Sequence, residues 1–224
     1  MEMGDRGLFG ASLAGVNGAD LDAASRVCPF SDAALDEDAL AEQRFGSANL
    51  DHHRHVGLVR GAFAGRLADD EKLRGSSSGG LTSWVLSRLL DEGRIDGVVH
   101  VGAGSDGRLV EYVTSSTSAE IAERRKSFYY PTTMAEVLQQ VRDGEQRRYA
   151  VVGVPCFIKA ARLLAHEDEV LAERLEVFVG IVCGHLKSEF FAQSLAWQSG
   201  VEPGELAAVD FRVKNDQRGS NDYD

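Results

Sequence analysis

The sequence predicts an α/β protein: a mostly parallel sheet with flanking helices, a short β-hairpin and a loose N-terminal arm. Two observations carry this expectation. Apolar runs such as Val98-Val99-His100-Val101 and Tyr149-Ala150-Val151-Val152-Gly153-Val154 are continuous rather than alternating, which marks strands buried on both faces. Stretches of helical period separate these runs, so strand and helix alternate along the chain.

Each element follows from local pattern. Residues 1–30 are rich in Gly, Ala, Ser and Asp, show no period, and read as a loose arm ending at Cys28-Pro29-Phe30. Ser31 or Asp32 is placed to cap a short helix reaching about Phe45, with Asp36, Glu37 and Asp38 near its positive end. His52, His53 and His55 precede a strand-like run, Val56-Gly57-Leu58-Val59. Leu81, Val85, Leu86, Leu89 and Leu90 share one helical face, and Gly93 ends that helix. Val98 to Val101 form a strand, Ser105-Asp106-Gly107 turns the chain, and residues 109–114 return as the hairpin partner. Helices are expected over 118–126 and 133–142, on either side of Tyr129-Tyr130-Pro131. A strand over 149–154 leads into a helix over 157–165. Another helical turn or two over 167–174 precedes a strand over 175–183, which ends at Cys183-Gly184-His185. A helix over 188–199 and a final strand over 209–213 complete the reading. The polar tail from Lys214 carries no helix or cap signal, and the chain is expected to be incomplete there.

Composition narrows the function classes. The chain has 224 residues, 43% hydrophobic and 26% charged, which is ordinary globular usage and enough length for a full core. Twenty-four Lys and Arg against 35 Asp and Glu leave a net charge of −11, which argues against a nucleic-acid-binding protein. No apolar run approaches the ~18–20 residues of a membrane span. The N-terminus lacks a basic region followed by an apolar core, so neither membrane insertion nor a secretory leader is expected. Three widely spaced cysteines do not make a disulfide framework. The expected location is cytoplasmic.

Chemistry could sit at two places. In Ser76-Ser77-Ser78-Gly79-Gly80, glycines admit close approach of an anion. The N–H groups and dipole of the following helix favour phosphate, and serine hydroxyls add donors. No Gly-Lys-Ser/Thr follows, so this is not a P-loop, and it is not a G-x-G-x-x-G fingerprint. The alternative is a cap cluster that only starts a helix. The second place is Cys156 and Cys183, each after a buried strand and before a helix, on the sheet edge where open α/β folds bind ligands. They are either small buried hydrophobes or thiolate ligands. A nucleophile pair of Cys156 with His185 is a further option. The three neighbouring histidines lack ligand spacing and read as a solvated loop. Trp84 and Trp197 lie on helical faces and are expected in the core.

Several segments taken together resemble the coenzyme F420 hydrogenase/dehydrogenase beta-subunit family. They are Arg74-Gly75-Ser76-Ser77-Ser78-Gly79-Gly80-Leu81-Thr82, Asp96-Gly97-Val98-Val99, Lys126-Ser127-Phe128-Tyr129, Gly153-Val154-Pro155-Cys156, Gly180-Ile181-Val182-Cys183-Gly184-His185 and Phe211-Arg212-Val213-Lys214. The resemblance runs from about Cys28 to Lys214 and implies a flavin-binding-like α/β domain over 31–224. It implies an oxidoreductase, an electron-transfer component that moves electrons between an iron–sulfur centre, a flavin and a hydride-accepting substrate. It would place FAD at Ser76, Ser77, Ser78, Gly79 and Gly80, with Ser127 and Tyr129 in the flavin pocket. It would make Cys156 and Cys183 ligands of a 4Fe-4S cluster. Family members carry a ferredoxin-like cysteine run near the N-terminus and a further Cys-x-x-Cys-x-Asp segment. Here only Cys28 matches the first, so the ligand set is incomplete in this chain. Phe128 stands where members often have a basic residue. The implied partner is a redox protein or a small-molecule electron acceptor, in a homo- or hetero-oligomer. A Cys156/His185 thiol-dependent transferase or hydrolase, and a non-catalytic degenerate fragment, are the alternatives.

Overall fold

The computed structural model describes residues 1–105, 107–215 and 217–219. A short hairpin, β1 (Glu2–Met3) with β2 (Phe9–Gly10), opens the chain. Next come α1 (Gly18–Val27), α2 (Glu37–Phe45) and a second hairpin, β3 (Asp51–His53) with β4 (Gly57–Val59). The central elements are α3 (Asp70–Arg74), α4 (Leu81–Asp91), β5 (Gly97–Ala103), β6 (Val110–Ser115), α5 (Ser118–Glu123) and α6 (Ala135–Asp143). Then follow β7 (Tyr149–Gly153), α7 (Pro155–Glu167), α8 (Glu169–Arg174), β8 (Leu175–Gly180) and α9 (Glu189–Gln198), with a 3-10 turn over Pro203–Glu205.

The main sheet has the order β6-β5-β7-β8. β5, β7 and β8 run parallel, and β6 returns antiparallel on β5 with Val98 opposite Ser115 and Ala103 opposite Val110. Helices cover both faces, which is why β5 and β7 read as continuous apolar runs. On one face Val99 and Val151 meet Met134, Val137, Leu138 and Val141 of the α6 region, Ala161 of α7 and Leu171 of α8. On the other, Val98, Ala150 and Val152 meet Leu86 of α4 and Ile121 of α5. The 3.6-residue spacing of Met134, Val137, Leu138 and Val141 turns one stripe of α6 inward. Arg174 closes the end of that helix by donating to the carbonyls of Val141, Arg142 and Gly144. A capping box of Thr117 and Glu120 starts α5. Gly93, at φ +64°, stops α4 as its sequence predicts.

Several expectations are corrected. Residues 1–30, expected to be a loose arm, carry the first hairpin and a ten-residue helix opened by an Asn17/Asp20 capping box. That helix packs on α7. The first hairpin is tied to the start of α9 by Glu189 N–H donating to the Gly7 carbonyl at 2.9 Å. α2 starts after Asp36, whose carboxylate accepts from Ala39 N–H, rather than after Ser31 or Asp32. β8 ends at Gly180, three residues before Cys183: Ile181 N–H bonds the Gly153 carbonyl, and Val182 then stands fully exposed. Residues 209–213 form no strand; Phe211 is buried by aromatic rings instead, and Arg212 takes a left-handed φ of +62°. Trp84 and Trp197 face outward, 51% and 66% exposed, not into the core. The expected turn at Asp106 and the tail at Asp216 and 220–224 fall outside the described residues.

Candidate functional site

Chain direction sets the site. α4 packs on the sheet and leads directly into β5, so its first turn lies at the edge where β5 ends. β7 and β8 run parallel to β5 and release Pro155-Cys156 and Ile181-Val182-Cys183 at that same edge. α4 and α7 cover opposite faces. The serine–glycine bend and Cys156 therefore share an edge but start from opposite sides of it. Residues 124–134 cross between them: Ser127 meets the bend at one end, and Met134 packs beside Gly153 at the other.

At the bend, Ser76 and Ser77 are buried and Ser78 is exposed. Ser76 Oγ donates to the Lys72 carbonyl at 2.8 Å. Ser77 Oγ accepts the Ser127 N–H at 2.8 Å, joining two predicted site residues fifty positions apart. Two of the three hydroxyls thus hold the chain rather than reach outward. Gly80, at φ +75°, is the N-cap of α4, and no side chain caps the first turn. α1, α2, α3, α5 and α8 instead use Asn, Asp or Thr caps. The glycine pair is covered by the chain itself. Leu67 N–H donates to the Gly79 carbonyl at 2.9 Å. A Cβ on Gly80 would fall 2.4 Å from Leu67 Cδ1, and one on Gly79 would fall 3.2 Å from the Gly65 carbonyl oxygen. The absent side chains admit the 65–67 strap, which leaves Arg66 exposed beside Gly79.

Basic groups gather here although the chain is acidic overall. Arg125 Nε donates to the Gly75 carbonyl at 3.2 Å. Lys214 Nζ donates to the Leu73 and Ser78 carbonyls at 2.6 and 2.8 Å. Lys126 pairs with Asp210 at 2.9 Å. Phe211 sits edge-on to Tyr129 and stacked on Phe191, at centroid distances of 5.3 and 6.1 Å. Residues 210–214 thus clasp the bend and the crossing segment. Local pattern alone gives no site role to Arg125, Phe211 or Lys214. The run Arg124-Arg125-Lys126 was the available signal, three cations in a chain of net charge −11.

The cysteines are less assembled. Cys156 lies half-buried in the first turn of α7, while Cys183 and His185 are exposed on the loop after β8. Burial holds the Tyr112 hydroxyl above its ordinary value, and the charge of a Cys156 thiolate adds to this. Among the described residues no group of three or more His, Cys, Asp or Glu could hold a metal ion. None of their hydrogen bonds joins Cys156 to His185. The residues present do not fit a complete cluster site. His52, His53 and His55 are exposed, as expected, but His52 and His53 stand on β3 of the second hairpin and not in a loop.

A buried polar group unmarked by any motif lies under α5. His100 Nε2 is 2.8 Å from Ser115 Oγ, and Arg124 Nη1 is 2.6 Å from the same oxygen. Burial, then the charge of Arg124, lowers the His100 pKa from 6.5 to about 4. Between those values the unfolded chain takes up a proton that the folded chain refuses, so stability falls as pH drops through this window. The loss is on the order of 3 kcal/mol if the whole shift is expressed. Denaturant titrations at pH 7 and pH 4.5 on wild type and His100→Val measure it. The difference between the two proteins isolates this residue from the carboxylates, and an equal acid loss in both would refute the assignment.

Two family models, for the N-terminal and the C-terminal part of the coenzyme F420 hydrogenase/dehydrogenase beta chain, match residues 62–139 and 146–222. A component of the F(420)H(2) dehydrogenase of Methanosarcina mazei is 30% identical over 161 residues, covering 71% of this chain and 39% of that protein. The beta component of the coenzyme F420 hydrogenase of Methanothermobacter thermautotrophicus is 25% identical over 132 residues, covering 57% of this chain and 47% of that protein. The chain therefore spans less than half the length of these relatives. A chain in the solved F420-reducing NiFe hydrogenase complex from Methanosarcina barkeri shares the fold. Its TM-score is 0.53 at 24% identity, over 58% of this chain and 46% of that one. No helix among the described residues is long and apolar enough to cross a membrane.

Proposed function

This chain belongs to the coenzyme F420 hydrogenase/dehydrogenase beta-subunit family, and from that premise we propose that it is a flavin-dependent electron-transfer protein that holds FAD across the serine–glycine bend and the 126–130 segment. The observation that carries this reading is the bond from Ser127 N–H to Ser77 Oγ. It ties together two stretches that the family resemblance separately assigns to the flavin, and nothing in local sequence requires them to meet.

The donor set fits the anionic half of the group. The first turn of α4 has no side-chain cap, and helix N-terminal N–H groups favour a diphosphate. In this reading Ser78, Gly79 and Gly80 present that turn. Ser76 and Ser77 fix the backbone behind it, and Arg125, Lys126 and Lys214 add positive charge around it. Tyr129, 36% exposed and backed by Phe211, offers a flat face for the ring. When bound, the flavin supplies exchange between hydride and single-electron transfer. The chain's own residues orient it and exclude water on the Phe211 side.

The relatives are an F(420)H(2) dehydrogenase and a coenzyme F420 hydrogenase, which makes coenzyme F420 the leading hydride partner. A redox protein supplies the other electrons. A cytoplasmic location is part of this reading, supported by three free cysteines.

Titration of the purified protein with FAD, followed at the flavin absorbance band, tests the proposal. Wild type is expected to take up one equivalent. Ser77→Ala strips the Ser127 N–H of its acceptor and is expected to weaken binding roughly tenfold, as a lost hydrogen bond of about 1–2 kcal/mol would. A wild-type protein that leaves all FAD free would overturn the reading.

A further inference from the structure

We infer that His100 is a positioning residue: acting through Ser115 and Arg124, it anchors the start of the segment that crosses the sheet edge. The segment's flavin role rests on the reading above; the anchoring does not.

His100 on β5 and Ser115 on β6 are both buried, 7% and 0% exposed. In the β5–β6 register His100 faces Val113 and Val98 faces Ser115, so His100 and Ser115 are diagonal neighbours on one face. The roles around Ser115 Oγ follow from its partners. The Arg124 guanidinium can only donate, so the oxygen accepts from it at 2.6 Å. A second N–H from His100 would fill the remaining lone pair and strand the hydroxyl proton in a buried site. With Nε2 as acceptor at 2.8 Å, the proton is used. The neutral, Nδ1-protonated ring is therefore the form that satisfies the chain Arg124 to Ser115 to His100. An aliphatic side chain at 100 would fill the space without desolvating a polar ring. What the imidazole adds is the acceptor that aims the Ser115 lone pair at Arg124.

Arg124 is held at more than its tip. Its Nη1 also reaches the Thr114 carbonyl at 3.5 Å. Its stem crosses Gly102, two residues beyond His100 on the same face, where a Cβ would come within 3.1 Å of Arg124 Cδ. Arg124 is also the C-cap of α5, its N–H shared between the Glu120 and Ile121 carbonyls. The next residues are those that contact the bend and its clasp: Arg125 to Gly75, Lys126 to Asp210 and Ser127 to Ser77. The segment leaves the sheet from a fixed point, and the buried histidine helps fix it.

Hydrogen–deuterium exchange on the flavin-free protein tests the anchoring directly. His100→Val is expected to speed exchange in the peptide covering 124–130 about tenfold, the effect of losing the Ser115–His100 bond and so loosening the Arg124–Ser115 bond it aims. Peptides covering β7 and α7 should stay as in wild type. His100→Gln, which restores an acceptor, should bring exchange back to within about threefold of wild type. Unchanged exchange in 124–130 with His100→Val would overturn the inference. If that variant does not fold, Ser115→Ala removes the same link with a single atom, and unchanged exchange there overturns it equally. FAD affinity is measured on the same proteins. Faster exchange in a protein whose wild type takes no FAD would support the anchoring and sink only the flavin reading.

Discussion

Gly80→Val is expected to cost about 3–5 kcal/mol, a loss of roughly 10 °C in melting temperature for a chain of this length. Two independent terms add. The residue sits at φ +75°, where a β-branched side chain is strained whatever the space around it. Its Cβ would also lie 2.4 Å from Leu67 Cδ1 and 3.0 Å from Ser76 Oγ. Relief therefore requires the 65–67 strap to lift and its bond to the Gly79 carbonyl to break. The two terms separate experimentally. Leu67→Ala opens the space, so the double variant should recover the collision but keep the backbone strain, in a non-additive cycle. Gly79 lacks a left-handed φ, and its Cβ would only graze the Gly65 carbonyl at 3.2 Å, so Gly79→Ala should be mild by comparison. Thermal melts on these five proteins decide. A Gly80→Val chain melting with wild type would mean that the strap does not close on the bend.

Phe211→Ala should cost about 3–4 kcal/mol, since the ring is 6% exposed and packs on two others. The site of the damage is specific. Residues 209–213 belong to no strand or helix, and the hold of the 209–214 segment on the bend includes this ring, the Lys126–Asp210 pair and the Lys214 donors. Lys126 is 26% and Asp210 47% exposed, and an ion pair this wet adds no more than about 1 kcal/mol. Removing the ring should release the clasp. Protease cleavage within 200–215 should then rise with little change in β5 or β7, and FAD affinity should fall with it. Phe211→Leu, which keeps most of the buried area, should recover much of the loss. Equal cleavage in wild type and Phe211→Ala would show that the polar contacts hold the clasp alone.

The clasp also shows how the two matched halves of the family depend on each other. Ser77, Ser127 and Tyr129 fall within residues 62–139, whereas Phe211 and Lys214 fall within 146–222. The bend receives contacts from both. A fragment carrying only the first stretch would lack the aromatic backing of Tyr129.

Legibility in the sequence followed the range of the interaction. β5 and β7 were evident because helices on both faces turn every position apolar, a local signature. The end of α4 at Gly93 was evident because a left-handed C-terminal residue favours glycine. The Asn17/Asp20 box that starts α1 was also within reach, since both partners lie three residues apart. By contrast, the apolar run before Cys183 looked like strand to its end. β8 is an edge strand, however, and after Gly180 it has only the single bond to Gly153 to follow. The apolar run around Phe211 looked like a strand for the same reason, and its burial comes from rings at 129 and 191. The outward faces of Trp84 and Trp197 were hidden because helical period gives a stripe without saying which side finds a partner.

The amino-acid order alone determined the alternation of strands and helices, the continuous core strands and the bend that starts α4, because caps, turns and apolar period act within a few residues. Tertiary structure alone decided what those pieces do. It spent two serine hydroxyls inward, laid a strap over the glycine pair, set Cys156 and the bend over opposite faces, and buried His100 against Ser115. The links that matter most span 15 positions for His100 and Ser115 and 50 for Ser77 and Ser127. Their proximity is fixed by how the sheet stacks its layers, which no local pattern encodes.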